Sequence, residues 1–164
     1  MQKPLTVALL VLSALLAVEA NAGALHGGGH VRANIIGSSP TVQADRATIK
    51  SDIGQLKADK AAGNSAAVST DKAKLSTDKQ QLSTDVATVK TAIANAPAVQ
   101  ADKTALSTAA TKLSTDVGQL KTDKKAGNMA AVATDKTTVQ ADVAQLKADK
   151  ATLVTDAKAV AAAH

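Results

Sequence analysis

Along most of this 164-residue chain a Val, Ile or Leu returns at every seventh position, and the phase of that return shifts only three times. The first run is Val42, Ile49 and Leu56, and the second is Val68, Leu75, Leu82 and Val89. Val99, Leu106, Leu113 and Leu120 form the third; Val132, Val139, Leu146, Leu153 and Val160 form the fourth. A sustained seven-residue apolar period predicts long helices packed along a seam. At Leu56–Val68 and Leu120–Val132 the step is twelve residues, which on one unbroken helix would swing the apolar stripe by about 120°. Gly63-Asn64 and Gly127-Asn128 fall inside those two steps, each a left-handed helix end followed by a good N-cap. Pro40 and Pro97 suit first helical turns. The pattern therefore predicts helices over about 40–62, 65–95, 97–126 and 129–161. Short loops between long helices make antiparallel neighbours. The expected fold is all-α, with tandem helical hairpins closing into an antiparallel up-down-up-down four-helix bundle.

The hairpins are internal copies. Asp52-Ile53-Gly54-Gln55-Leu56-Lys57-Ala58-Asp59-Lys60 returns at an offset of 64 as Asp116-Val117-Gly118-Gln119-Leu120-Lys121-Thr122-Asp123-Lys124. Pro40-Thr41-Val42-Gln43-Ala44-Asp45 matches Pro97-Ala98-Val99-Gln100-Ala101-Asp102 at an offset of 57, so the second copy carries one extra heptad. A whole heptad keeps the seam in register, as a packed helix requires. The repeats span about 40–96 and 97–161, inside a bundle domain of 40–164.

Thirteen of the fourteen acidic residues are Asp, and all lie on the same seven-residue grid, four places before the aliphatic position in most repeats. With Asp at heptad position g, the aliphatics occupy d. Position a is then split between apolar residues such as Ile53, Val86, Ile93, Val117 and Val143 and the cations Arg46, Lys60, Lys72, Lys79, Lys103, Lys124, Lys136 and Lys150. Cations at a are expected to lay their methylenes along the seam and carry their charge outward. Antiparallel neighbours would bring g against g, so the Asp rows could face one another, with Lys at a relieving the repulsion. The outward f column is small and uncharged, as in Thr70, Thr77, Thr84, Thr91, Thr108, Thr115 and Thr122.

The N-terminus reads as an address. Lys3, the apolar stretch 5–18 and Ala20-Asn21-Ala22 make a cleavable export signal over 1–22. A flexible leader over 23–39 is expected to follow, and no transmembrane span should remain after cleavage. The chain has no Cys, Phe, Trp or Tyr, and its single Glu, Glu19, lies in the signal. A small exported chain without cysteine suits a bacterial periplasm or exterior. The missing aromatics remove stacking platforms for single-stranded nucleic acid and predict slender helix packing. Net charge is +5, but eight cations directly follow an Asp. That interleaving argues against a specific nucleic-acid surface and allows weak contact with anionic surfaces.

Little here promises catalysis. The Ser-Thr-Asp triplets at 69–71, 76–78, 83–85 and 114–116 have no neighbouring His to act as base, so no enzyme is expected. His26 and His30 flank three glycines and form the one candidate metal site, for weak binding of Cu²⁺ or Zn²⁺; no other cofactor is expected. The Thr/Ala ridge resembles the surface of alanine-rich helical antifreeze proteins. The composition, rich in Ala, Lys, Thr and Asp, is similar to that of late-embryogenesis-abundant desiccation proteins. Both kinds favour an eleven-residue period, whereas this chain keeps seven. The reading these residues favour is an exported, non-enzymatic, coiled-coil-like protein. It would act by self-association or surface contact, as a structural or protective element of the envelope or matrix. The alternatives are a periplasmic binding module, chaperone-like or metal-carrying, and an ice- or desiccation-protective helix protein.

Overall fold

A computed structural model describes residues 28–164 as five helices without strands: α1 (Gly28–Ile36), α2 (Pro40–Ala61), α3 (Ser65–Asn95), α4 (Pro97–Ala126) and α5 (Met129–Ala162). The signal segment 1–22 and His26 lie outside the described residues. The short helix α1 falls within the segment read as a flexible leader. The structure is therefore all-helical, and α2 to α5 begin and end within a residue or so of the positions expected from periodicity.

Each boundary has a local chemical cause. Ser39, itself fully buried, caps α2 by accepting from the backbone N–H of Val42 at 3.4 Å, and Pro40 follows in the first turn. Asn64 caps α3 through Ala67 N–H at 3.2 Å, and Asn128 caps α5 through Ala131 N–H at 3.3 Å. The two Gly-Asn turns are the same device. Gly63 and Gly127 take φ of 71° and 73°, the left-handed region where a side chain is strained. The following N–H of Asn64 reaches back to Asp59 O, and that of Asn128 to Asp123 O, each at 3.0 Å. This closes the six-to-one bond of a Schellman end and satisfies a carbonyl that the helix leaves open.

The heptad columns sort cleanly by burial. Every d aliphatic is buried or half-buried, whereas the f column from Ala44 to Thr155 is exposed throughout. Leu113 and Leu146 are buried and Leu82 is partly so, while Thr77 and Thr115 face solvent. Position a carries its charge outward, as expected, and it is position g that stands out. The cations at a are all exposed, and even Ile53 is 37 % exposed, whereas the g aspartates are without exception half-buried or buried. The other apolar residues at a, Val86, Ile93, Ala110, Val117, Val143 and Ala157, are half-buried or buried, so the contact face is completed by these together with Asp at g. A four-carbon lysine stem can swing its charge out to water, but the short Asp side chain stays where its Cα puts it.

The chain forms two compact units. Of the described residues, one comprises 28–33 with Leu106–Lys147, and the other Asn34–Ala105 with Ala148–His164. In the second, Val42, Val89, Val99, Ala157 and Ala161 form a core with Ile35. Ile36, Leu82, Val86, Ile93, Leu153 and Val160 pack around it. The residues just before α2 therefore cover its first turn. The Thr41 hydroxyl donates to the His164 carbonyl oxygen in the same unit. In the first unit Leu113, Val132, Val139 and Leu146 are buried with Ala109 and Asp142. Among the described residues, no helix is long and apolar enough to cross a membrane.

Two stability tests follow. Leu113→Ala should lower the melting temperature sharply, since truncating a buried Leu costs about 2–5 kcal/mol; Thr115→Ala, on the outer face, should be nearly silent or slightly stabilising. Thermal melts followed by circular dichroism compare them directly. A Cβ at Gly54 or Gly118 would meet nothing within 4 Å. Alanine there should raise stability by about 0.5–1 kcal/mol, whereas Gly63→Ala and Gly127→Ala should lower it by about 1–2 kcal/mol.

Candidate functional site

The Asp grid becomes a ladder. Between α2 and α3, Asp45 lies within hydrogen-bond reach of Asp85, Asp52 of Asp78, and Asp71 of Asp59. Between α4 and α5 the rungs are Asp102 with Asp156, Asp116 with Asp142, and Asp135 with Asp123. Partner numbers fall along one helix as they rise along the other. The rung pairs 52/78 and 59/71 become 116/142 and 123/135 on adding the repeat offset of 64.

Two ionised carboxylates in contact repel, and each rung meets that in one of two ways. On one rung of each helix pair a lysine bridges both acids. Lys74 Nζ lies 2.6 Å and 2.7 Å from the two oxygens of Asp52 and 3.3 Å from Asp78 Oδ2. Lys112 Nζ lies 2.8 Å from Asp116 Oδ2 and 2.6 Å from Asp142 Oδ1. These are equivalent rungs of the two copies, yet the lysine comes from the second helix in one and the first helix in the other. The residues equivalent to Lys112 and Lys74 in the opposite copy are Thr48 and Thr138. What the two copies share is the cation at the rung, whichever helix supplies it.

The remaining rungs have no such cation drawn between them. On three of them one acid accepts from a glutamine four residues earlier in its own helix. Gln55 donates to Asp59 at 2.8 Å, Gln81 to Asp85 at 3.0 Å and Gln119 to Asp123 at 2.7 Å. The opposite acid keeps a buried oxygen without a donor: Asp45, Asp71 and Asp135 each have such an Oδ2, and so does Asp102 facing Asp156. Desolvation first, then the facing carboxylate, push Asp45, Asp71, Asp102 and Asp135 above the ordinary aspartate range. On the bridged rungs the balance reverses. Hydrogen bonding to Asp78 and Lys74 holds Asp52 low, and Lys112 followed by Asp142 does the same to Asp116. Both bridging lysines are held above their usual value by the acids they contact.

The outer face is equally ordered. Thr70, Thr77, Thr84, Thr91, Thr115, Thr122, Thr134 and Thr155 each donate the hydroxyl to the carbonyl four residues back. The ridge therefore shows methyls and oxygen lone pairs to solvent, its hydroxyl protons being used within the helix. All lysines from Lys50 to Lys158, and Arg46, are exposed, while all thirteen aspartates are drawn toward the contact faces. Charges that alternate along the chain are largely segregated in space, acids inward and cations outward, with Lys74 and Lys112 reaching back to the rungs.

No protein-family model, no curated protein and no solved structure matches the chain. The site therefore stands on its geometry alone. His30 lies in the first turn of α1 by its backbone, and His26 precedes the described residues. Among the described residues no group of three or more His or acidic side chains is arranged to hold a metal ion. The triplet aspartates Asp71, Asp78, Asp85 and Asp116 all turn to rungs of the ladder, away from the threonines beside them. Sequence reasoning placed the relieving cations at position a. The structure puts them at position c, on Lys74 and Lys112, four residues before an Asp. That spacing was visible in the sequence, since residues four apart share a helix face.

Removing a bridge gives a pH-dependent test. Asp52 and Asp116 are held low, so the stability they contribute is present above the unfolded carboxylate range. It is lost as pH falls through their folded values. Lys74→Gln and Lys112→Gln should therefore lower the melting temperature near neutral pH and have little effect near pH 2. Melts of wild type and both variants across that range measure it.

Proposed function

We propose that this chain is an exported, non-enzymatic helical scaffold whose two hairpins close into an antiparallel four-helix bundle, serving the cell envelope or surrounding matrix through its outer faces. The observation that carries this reading is the radial sorting of charge. With the aspartates directed into the seams and the lysines exposed, only Lys74 and Lys112 among them reaching back to bridge a rung, the exterior combines a cationic coat with a ridge of small Thr, Ala and Ser side chains. Such an exterior suits contact with anionic envelope or matrix surfaces, because a positive face raises the local concentration of polyanions. Like-charged exteriors oppose close self-association at low salt, so assembly of copies is favoured where an anionic surface gathers them or salt screens them.

The ridge also favours a second, protective role. A straight row of small side chains with inward-turned hydroxyls is a regular surface for ordered water or a drying interface. Thermal hysteresis at millimolar protein is the measurement that distinguishes it, since a scaffold produces none.

The main reading predicts that the protein co-sediments with vesicles of mixed anionic and zwitterionic lipid at low salt and is released by about 0.5 M salt, where screening falls to a few ångströms. It should not bind purely zwitterionic vesicles. Light scattering on the same samples should show larger assemblies with the anionic vesicles than in free solution. Equal binding to both vesicle types, or none to either, removes the surface-contact reading.

A further inference from the structure

Four rungs of the ladder face one another without a bridging cation, and each leaves one buried carboxylate oxygen without a donor; the bridged rung Asp116/Asp142 leaves one as well, at Asp142 Oδ2, but there Lys112 already offsets the charge. A single proton resolves both problems. Placed on the orphaned oxygen, it lets a carboxylic O–H donate to the facing carboxylate and reduces the charge of the rung from two to one. We propose that rungs Asp45/Asp85, Asp59/Asp71, Asp102/Asp156 and Asp123/Asp135 each hold one shared proton when the hairpins are closed, so that closure takes up protons from solvent and acid tightens the chain.

The surroundings of each rung support the assignment of acid and acceptor. Asp45 faces Asp85 and Asp78 of α3, and Asp85 already accepts from Gln81. Asp71 faces Asp59 and Asp52 of α2, with Lys74 one turn along its own helix, and Asp59 already accepts from Gln55. Asp135 faces Asp123 and Asp116 of α4, and Asp123 accepts from Gln119. Asp102 faces Asp156 and Asp149 of α5. On three rungs, then, an amide donor favours the ionised form of one partner, leaving the proton to the other. Burial and the facing charge raise Asp45, Asp71, Asp102 and Asp135, in agreement with that division.

The sign follows by linkage. A carboxyl whose folded value is raised contributes most below its unfolded value, near pH 4, and that contribution is lost as pH rises through the folded value. The lysine-bridged rungs at Asp52 and Asp116 act oppositely and fail only in stronger acid. The four unbridged rungs therefore add stability as pH falls from neutral through the folded values of Asp45, Asp71, Asp102 and Asp135. Proteins in general are most stable between about pH 5 and 8. For a chain displayed outside the cell, the ladder would make the scaffold firm in acid surroundings and looser as they are neutralised.

The test is thermal unfolding from about pH 7 to about pH 2. It uses wild type and a variant carrying Asp45→Asn, Asp71→Asn, Asp102→Asn and Asp135→Asn, since an amide donates as the protonated acid would. Wild type should gain several degrees in melting temperature between pH 7 and about pH 4, then decline. The fourfold variant should melt higher than wild type at pH 7 and show little dependence on pH down to 4. Carboxyl-carbon NMR titration of wild type provides a reading independent of the variant's folding, with four aspartates expected to titrate above the ordinary range. A wild-type melting temperature flat or falling from pH 7 to 4 overturns the proposal. So does titration of all thirteen aspartates at or below the ordinary value. Stabilisation at pH 7 by millimolar calcium, with no acid stabilisation, would also overturn it and assign the rungs to a divalent cation.

Discussion

Carboxylate facing carboxylate is the interaction on which the rest of this structure turns. Helices whose contact face alternates aliphatic side chains with Asp can approach only if each acidic pair acquires a positive charge, a hydrogen-bond donor or a proton. The placements of Lys74 and Lys112, and of Gln55, Gln81 and Gln119, all answer that requirement. Each stands four residues before an aspartate, where a helix puts its side chain beside the carboxylate. The d-column aliphatics supply the attraction that brings the rows together; the donors decide the form in which they can stay together.

The two internal copies act as a natural substitution experiment. Equivalent rungs 52/78 and 116/142 are both bridged by lysine, although the lysine comes from opposite helices and each copy has Thr where the other has Lys. A specific side-chain position is not what persists between the copies; the electrostatic condition of the rung is. Asp suits that condition better than Glu would. Its carboxylate is one methylene from Cβ, so the partners meet across a narrow gap instead of swinging outward to water. Helices built from Ala, Thr and Ser without aromatics allow that gap to stay narrow along the whole contact.

Segregation of the charges also shapes what the protein can offer. Long lysine side chains reach water from almost any position beside the seam, so the cations collect outside while the acids are retained. A chain of modest net charge, +5, thereby presents an exterior more cationic than its composition suggests. The proposed role in surface contact draws on that exterior, and the proposed response to acid draws on the interior.

The four long helices and their limits, both Gly-Asn turns and the division between buried d and exposed f positions were legible in the sequence. Each follows from local rules: a 3.6-residue turn, a left-handed glycine, a capping side chain. The leader helix α1 was not legible, since Gly28–Ile36 has no heptad pattern, and burial of Ile35 against Val42, Val89 and Val99 depends on residues distant in sequence. The composition of the contact face was not legible either. Periodicity places Asp and its following cation on adjacent columns, and nothing in a single helix says which column meets the partner. Register between helices decided that, pairing 52 with 78 and 116 with 142, because only contact with a second helix separates a side chain too short to escape from one long enough to reach water.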